Sequence, residues 1–181
     1  MAFNVAEFRS QMTGDGARPN LFSVSLTFPS FVDGATDASR KATFMAKAAQ
    51  LPGSSMGQVP VYYFGREMKF VGNRSFADWT VTIINDEDFT IRNTMERWMN
   101  SLNSHAGNIR AANASTPSTY SVDAEITQYG KTGNELKKYK FVGMFPVDLT
   151  PIALDWGSND TIEEFDVTFA YQYWTTIDST S

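Results

Sequence analysis

His105 is the only histidine in the chain, and with no cysteine present it cannot head a Cys–His pair or share a multi-histidine metal site. It follows a helical pattern in a Ser-Gly-Asn setting, which reads as a solvated loop or helix-end residue near a favourable dipole. Asp86, Glu87 and Asp88 are close enough in sequence for acid–base or metal work, but acidic residues at a helix start are also stabilised by the helix dipole. Glu164 and Asp166 share one strand face and could reach one cation, yet an oxygen-ligand site needs further carboxylates or carbonyls around it. Gly14 and Gly16 of GDGARPN follow no strand and open no helix, so they mark a turn rather than a phosphate cradle. In LKKYK, Lys138 and Lys140 fall opposite Tyr139 and Phe141, as on a solvated or partner-facing strand, although aromatic–lysine interleaving also occurs in nucleic-acid binders. Met95, Trp98 and Met99 read as core rather than as a ligand box. No catalytic, cofactor-binding or metal residue is expected, and the chain reads as no enzyme.

The elements that would position these residues are mostly strands. In EFDVTFAYQYW, Phe165, Val167, Phe169, Tyr171 and Tyr173 line one side and Glu164, Asp166, Thr168, Ala170 and Gln172 the other. LFSVSLTF alternates in the same way, and further strands are predicted at 42–50, 61–65, 67–72, 78–85, 120–129 and 136–145. About eight strands with Gly, Pro, Asn and Asp punctuation predict a mainly β fold, an antiparallel barrel or sandwich. One helix is predicted at about 88–104, where Ile91, Met95, Trp98, Met99 and Leu102 recur at helical spacing, Asp88 can cap the start and Gly107 follows the end. A short second helix at 5–12 has Asn4 and Glu7 in capping-box form and a thin stripe of Val5, Phe8 and Met12. Loops are expected at 29–41, 51–60 and 104–119, long enough to be functional or mobile.

A length of 181 residues suits one domain spanning 1–181, with 1–19 as an N-terminal arm and 175–181 as a C-terminal extension. Fifteen basic against 20 acidic side chains give a net charge of −5, which repels nucleic acid at long range and argues against an ordinary DNA-binding module. The start, MAFNVAEFRSQ, lacks an apolar signal-peptide core, no run approaches the ~20 apolar residues of a spanning helix, and the absence of cysteine fits a reducing compartment.

The runs ARPNLFSVSLTF, PVYYFGREMKFVGNRSFADWTVTIINDEDF and FPVDLTPIALDWGSNDTIEEFDVTFAYQYW, spread over Ala17 to Trp174, resemble the tail tube proteins of T4-like contractile-tailed bacteriophages. The departures are the 29–41 loop and the tail TTIDSTS at 175–181. The resemblance implies a virion structural subunit assembled in the host cytoplasm. Six-subunit rings would stack into a hollow tube inside a contractile sheath and conduct the genome into the host. Its implied partners are further copies of itself, the sheath, baseplate and tail-terminator proteins, and double-stranded DNA passing without specific binding. The same resemblance places ring-stacking contacts in the N-terminal segment and the strand-joining loop, here Val5, Phe8, Met12, Pro52, Gly53, Ser54, Met56, Gly57 and Pro60. An acidic lumen would keep DNA off the wall, with Glu164 and Asp166 as candidate lumen-facing residues. The alternatives are a type VI secretion or bacteriocin tube subunit, and a monomeric barrel binding a small apolar ligand at its centre.

Overall fold

The computed structural model describes residues 4–177. Its elements are α1 (Val5–Gln11), β1 (Phe22–Leu26), α2 (Ala35–Met45), β2 (Ala46–Ala49), β3 (Ser55–Tyr63), β4 (Arg66–Ser75), β5 (Trp79–Ile84), α3 (Thr90–Leu102), α4 (Pro117–Tyr120), β6 (Val122–Tyr129), β7 (Glu135–Leu149), β8 (Glu164–Ala170) and β9 (Tyr173–Ile177). Seven strands form one antiparallel sheet in the order β1-β6-β7-β8-β5-β2, with β9 also on β7, while β3 and β4 pair only with each other. The expected mainly β, antiparallel fold is what forms. The expected barrel does not close: β1 and β2 end the path without a hydrogen-bonded ladder between them.

The sheet folds over itself along β7. Residues 138–142 of that strand pair with β9, and 145–149 pair with β8. Between them Gly143 adopts φ 67°, and a Cβ there would come within 3.0 Å of the Gln172 side chain, so glycine suits the bend. The expected strand over 164–174 is therefore two strands, interrupted at Tyr171 and Gln172, where the Gln172 N–H donates to the Val142 carbonyl. The fold brings Trp79 of β5 onto Phe141 of β7, rings stacked with centroids 4.1 Å apart. Helix α3 closes the core: Ile91, Met95 and Trp98 are buried as predicted, Thr94 joins them, and Met99 and Leu102 lie partly exposed at its margin. Trp98 is fully buried, and its Nε1–H donates to the Tyr120 carbonyl at 3.0 Å.

The second helix on the core corrects the sequence reading. Residues 35–45 form α2, where a loop over 29–41 and a strand from 42 were expected. Its buried face is Ala35, Ala38 and Ala42, packed on β1 and α3. Three alanines at helical spacing carry almost no apolar contrast, although alanine is the strongest helix former. The Ser39 hydroxyl donates to the Ala35 carbonyl and accepts the Phe28 N–H, which fixes α2 to the end of β1.

Candidate assembly interface

The β3–β4 pair projects from the subunit as a ribbon. From Met56 to Phe70 every residue is exposed, and among the described residues no other strand or helix packs extensively along it. Its register sets Val59 opposite Phe70 and Val61 opposite Met68 on one face, and Pro60 opposite Lys69 and Tyr62 opposite Glu67 on the other. Side chains of paired residues share a face, so the ribbon is amphipathic with its apolar side bare. Val59, Val61, Met68 and Phe70 remain 47–53% exposed. At the tip, Phe64 and Gly65 both adopt positive φ, as a two-residue hairpin turn requires. Phe64 is 91% exposed and holds a left-handed conformation costing about 1–2 kcal/mol, with its ring edge-to-face against Tyr63 at a centroid distance of 4.6 Å.

Two indoles fasten the ribbon's base to the core. Trp79 Nε1–H donates to the Gln50 carbonyl at 2.8 Å, and Trp174 Nε1–H donates to the Gly53 carbonyl at 3.1 Å. On the returning strand Phe76 packs against Tyr171 and Trp174. The expected loop 51–60 thus ends at Ser54, and residues 55–60 are strand. Pro60 is tolerated because each strand of a two-stranded ribbon needs N–H groups on one side only. Gly57 lies at the bulge, where its backbone meets that of Gly72 so closely that a Cβ on Gly72 would come within 2.9 Å.

The other predicted stacking residues are equally uncovered. Helix α1 buries none of its residues: Asn4 Oδ1 accepts the Glu7 N–H at 3.2 Å, and Val5, Phe8 and Met12 are all exposed. Gly53 and Ser54 are exposed and Pro52 is half-buried; Met1 to Phe3 lie outside the described residues, as do residues 178–181 of the predicted extension. Sequence reasoning missed Val59, Val61, Met68 and Phe70. Their signal was present as period-two alternation, but a strand that packs inside its own subunit has the same signal.

The candidate lumen residues lie on the outward face of β8. Lys47 Nζ meets Glu164 Oε1 at 2.5 Å, and the Asp166 carboxylate accepts the Thr82 hydroxyl at 2.6 Å. Lys138 and Lys140 face away from Phe141, paired with Glu125 at 2.7 Å and Asp123 at 2.8 Å. Of the acidic trio, Asp86 and Asp88 clamp Lys41 of α2 at 2.6 and 2.5 Å, and Asp88 Oδ1 accepts the Thr90 N–H that opens α3. The Lys41 ammonium, with the Thr90 N–H, pulls the Asp88 carboxyl down to about 2, and Lys41 itself is raised by the same contacts. The trio therefore works as a helix-start clamp. His105 is exposed, and among the described residues no three His, Cys, Asp or Glu side chains converge as a metal site would need. Among the described residues, Trp98, Phe141 and Phe169 fill the subunit's centre, where a lipocalin-like barrel would hold its ligand.

A bare apolar ribbon on a filled, chemically quiet core describes a subunit made to assemble. The profile of the phage tail tube protein family matches residues 17–177. The chain belongs to that family. It is 32% identical over 167 residues to the tail tube protein gp19 of Enterobacteria phage T4, covering 92% of this chain and 95% of the relative. The tail tube protein of Serratia phage KSP90 is 30% identical, with 92% of this chain and 93% of the relative covered. Among solved structures, the cap terminating the anti-feeding prophage tube superposes with a TM-score of 0.64 at 16% identity, covering 91% of this chain and 92% of that one. A chain from the PVC sheath–tube complex superposes at 0.61 and 15% identity, covering 98% and 99%. Those two likenesses establish the fold, and the phage relatives establish the role: this tail tube subunit is a structural component of a phage virion's tail.

Proposed function

We infer that this tail tube subunit, acting as a single domain over 1–181 and without catalysis, closes into six-membered rings that stack into a hollow tube through which double-stranded DNA passes. The observation that carries this reading is the β3–β4 ribbon, whose apolar face stays about half exposed among the described residues of its own subunit. A two-stranded hairpin is marginal alone in water, so a ribbon of this length is completed by a neighbour. The open edges of β1, β2 and β9 support ring closure, because joining edges around a ring consumes their unpaired N–H and C=O groups. Residues 1–19 and 51–60 order mainly on stacking, with Val5, Phe8, Met12, Pro52, Gly53, Ser54, Met56, Gly57 and Pro60 contributing. The finished tube meets sheath, baseplate and terminator proteins in the virion after assembly in the host cytoplasm.

For the inner wall we propose an excess of carboxylates over lysines and arginines, Glu164 and Asp166 among them, which keeps phosphates from sticking. A ring structure with a basic lumen overturns this part alone. The assembly reading is tested by electron microscopy of the concentrated protein, where hollow tubes are expected and isolated globules contradict it. Deleting residues 1–12, or replacing 55–75 by a short Gly-Ser turn, should leave a subunit with unchanged circular dichroism in the core region that makes no long tubes. Tubes of normal length from a variant carrying both changes would place stacking elsewhere.

A further inference from the structure

The connection between β7 and β8 also presents a bare apolar surface. Within residues 151–163, Leu154 and Ile162 are exposed and Trp156 is 100% exposed. The same stretch carries Asp155, Asp160 and Glu163 and no basic side chain. The ribbon has the opposite balance, with Arg66, Lys69 and Arg74 against the single acid Glu67. The net −5 of the chain is thus unevenly spread, and the ribbon and this connection, both bare and apolar, carry opposite charge.

Their placement prevents them from meeting in one subunit. The ribbon leaves the sheet at the Trp79 end of β5, where Trp79 pairs with Phe169. The acidic connection sits at the other end, where Ile84 pairs with Glu164 and the Asn85 N–H donates to the Glu163 carbonyl at 2.8 Å. Five residue steps of strand separate the two ends by about 17 Å. Two complementary surfaces at opposite ends of one sheet make a head-to-tail contact between copies, and such a contact propagates. The asymmetry also selects direction, because ribbon against ribbon sets like charges together, as does connection against connection.

We propose that the acidic connection 151–163 is the receptor for the β3–β4 ribbon of a second copy of this chain. Trp156, Leu154 and Ile162 cover Val59, Val61, Met68 and Phe70, while Asp155 and Asp160 face Arg66, which shares that face with Met68 and Phe70. This rests on the assembly reading and adds the partner surface and the polarity.

The absence of cysteine permits a clean test. In Met68→Cys/Trp156→Cys protein assembled into tubes, a short bismaleimide should link neighbouring copies into a ladder, and neither single-cysteine protein should give one. A companion set exchanges charge: Asp155→Lys/Asp160→Lys and Arg66→Glu should each cut tube yield at least tenfold, and mixing the two proteins should restore short oligomers. Tubes that form from the double-cysteine protein without a cross-linked ladder overturn the receptor assignment and leave the assembly reading intact. Tubes at normal yield from either charge-exchanged protein overturn it as well. A natural-sequence protein that makes no tubes at all fails the assembly reading instead, and the proposal falls with it.

Discussion

Strand pairs β5–β8 and β3–β4 are both antiparallel and of similar length, yet they sit at opposite extremes of burial. In the first, Val81 and Ile83 of β5 and Phe165, Val167 and Phe169 of β8 are buried with the aromatic core, and the opposite face is held by hydroxyls and Asp166. In the second, Val59, Val61, Met68 and Phe70 alternate just as regularly and cover nothing. Backbone pairing is therefore satisfied in both, and the difference lies in where the apolar face finds its cover. One pair contributes to the stability of the subunit. In the proposed assembly, the other keeps its apolar area, at roughly 25 cal/mol per Å², for a contact between subunits.

Mutations can break this contrast, and the largest effect belongs to the core. Trp98→Ala removes a fully buried side chain hydrogen-bonded to Tyr120 and should cost about 3–5 kcal/mol, read as a lowered denaturant midpoint of an assembly-blocked form. A loss under about 1 kcal/mol would mean that α3 does not close the core. Next comes the joint between the two regions. Trp79→Phe keeps most of the ring packing but leaves the Gln50 carbonyl without its donor, for an expected loss of about 1–3 kcal/mol. Hydrogen exchange in that variant should quicken at the ribbon's base before it quickens in β8.

The ribbon should behave oppositely. Val61→Ser/Phe70→Ser should shift subunit stability by less than about 1 kcal/mol while tube yield by sedimentation falls steeply. A large stability loss with assembly intact would move the ribbon into the class of β5 and β8. The smallest effect is electrostatic. Asp88 has its folded-state pKa lowered to about 2 from the ordinary 3.8, so its contribution is complete above about pH 4 and is lost as pH falls toward 2. NMR titration should place the Asp88 midpoint near 2, with α2 and α3 resonances moving together. Asp88→Asn should abolish that shared step and leave the ribbon unaffected.

The sequence by itself determined the class of the fold and the composition of the core. Alternation in LFSVSLTF and EFDVTFA and the helical spacing of Ile91, Met95 and Trp98 put those residues inside, because a side-chain period dictates which face can be buried. It also supplied the family motifs, and with no cysteine and a single histidine it offers no thiolate and no multi-histidine ligand set. Three things were left to the tertiary structure. Helix α2 hides because a stripe of Ala35, Ala38 and Ala42 looks neutral until β1 and α3 give it a surface to fit. The break between β8 and β9 is written on the partner strand, at Gly143, so no local pattern near Tyr171 announces it. Whether an alternating strand faces its own core or a neighbour's was beyond local reading, since Val61 and Val167 carry the same signal. Only the three-dimensional path of the chain, which leaves β3 and β4 without an opposing layer, separates the two.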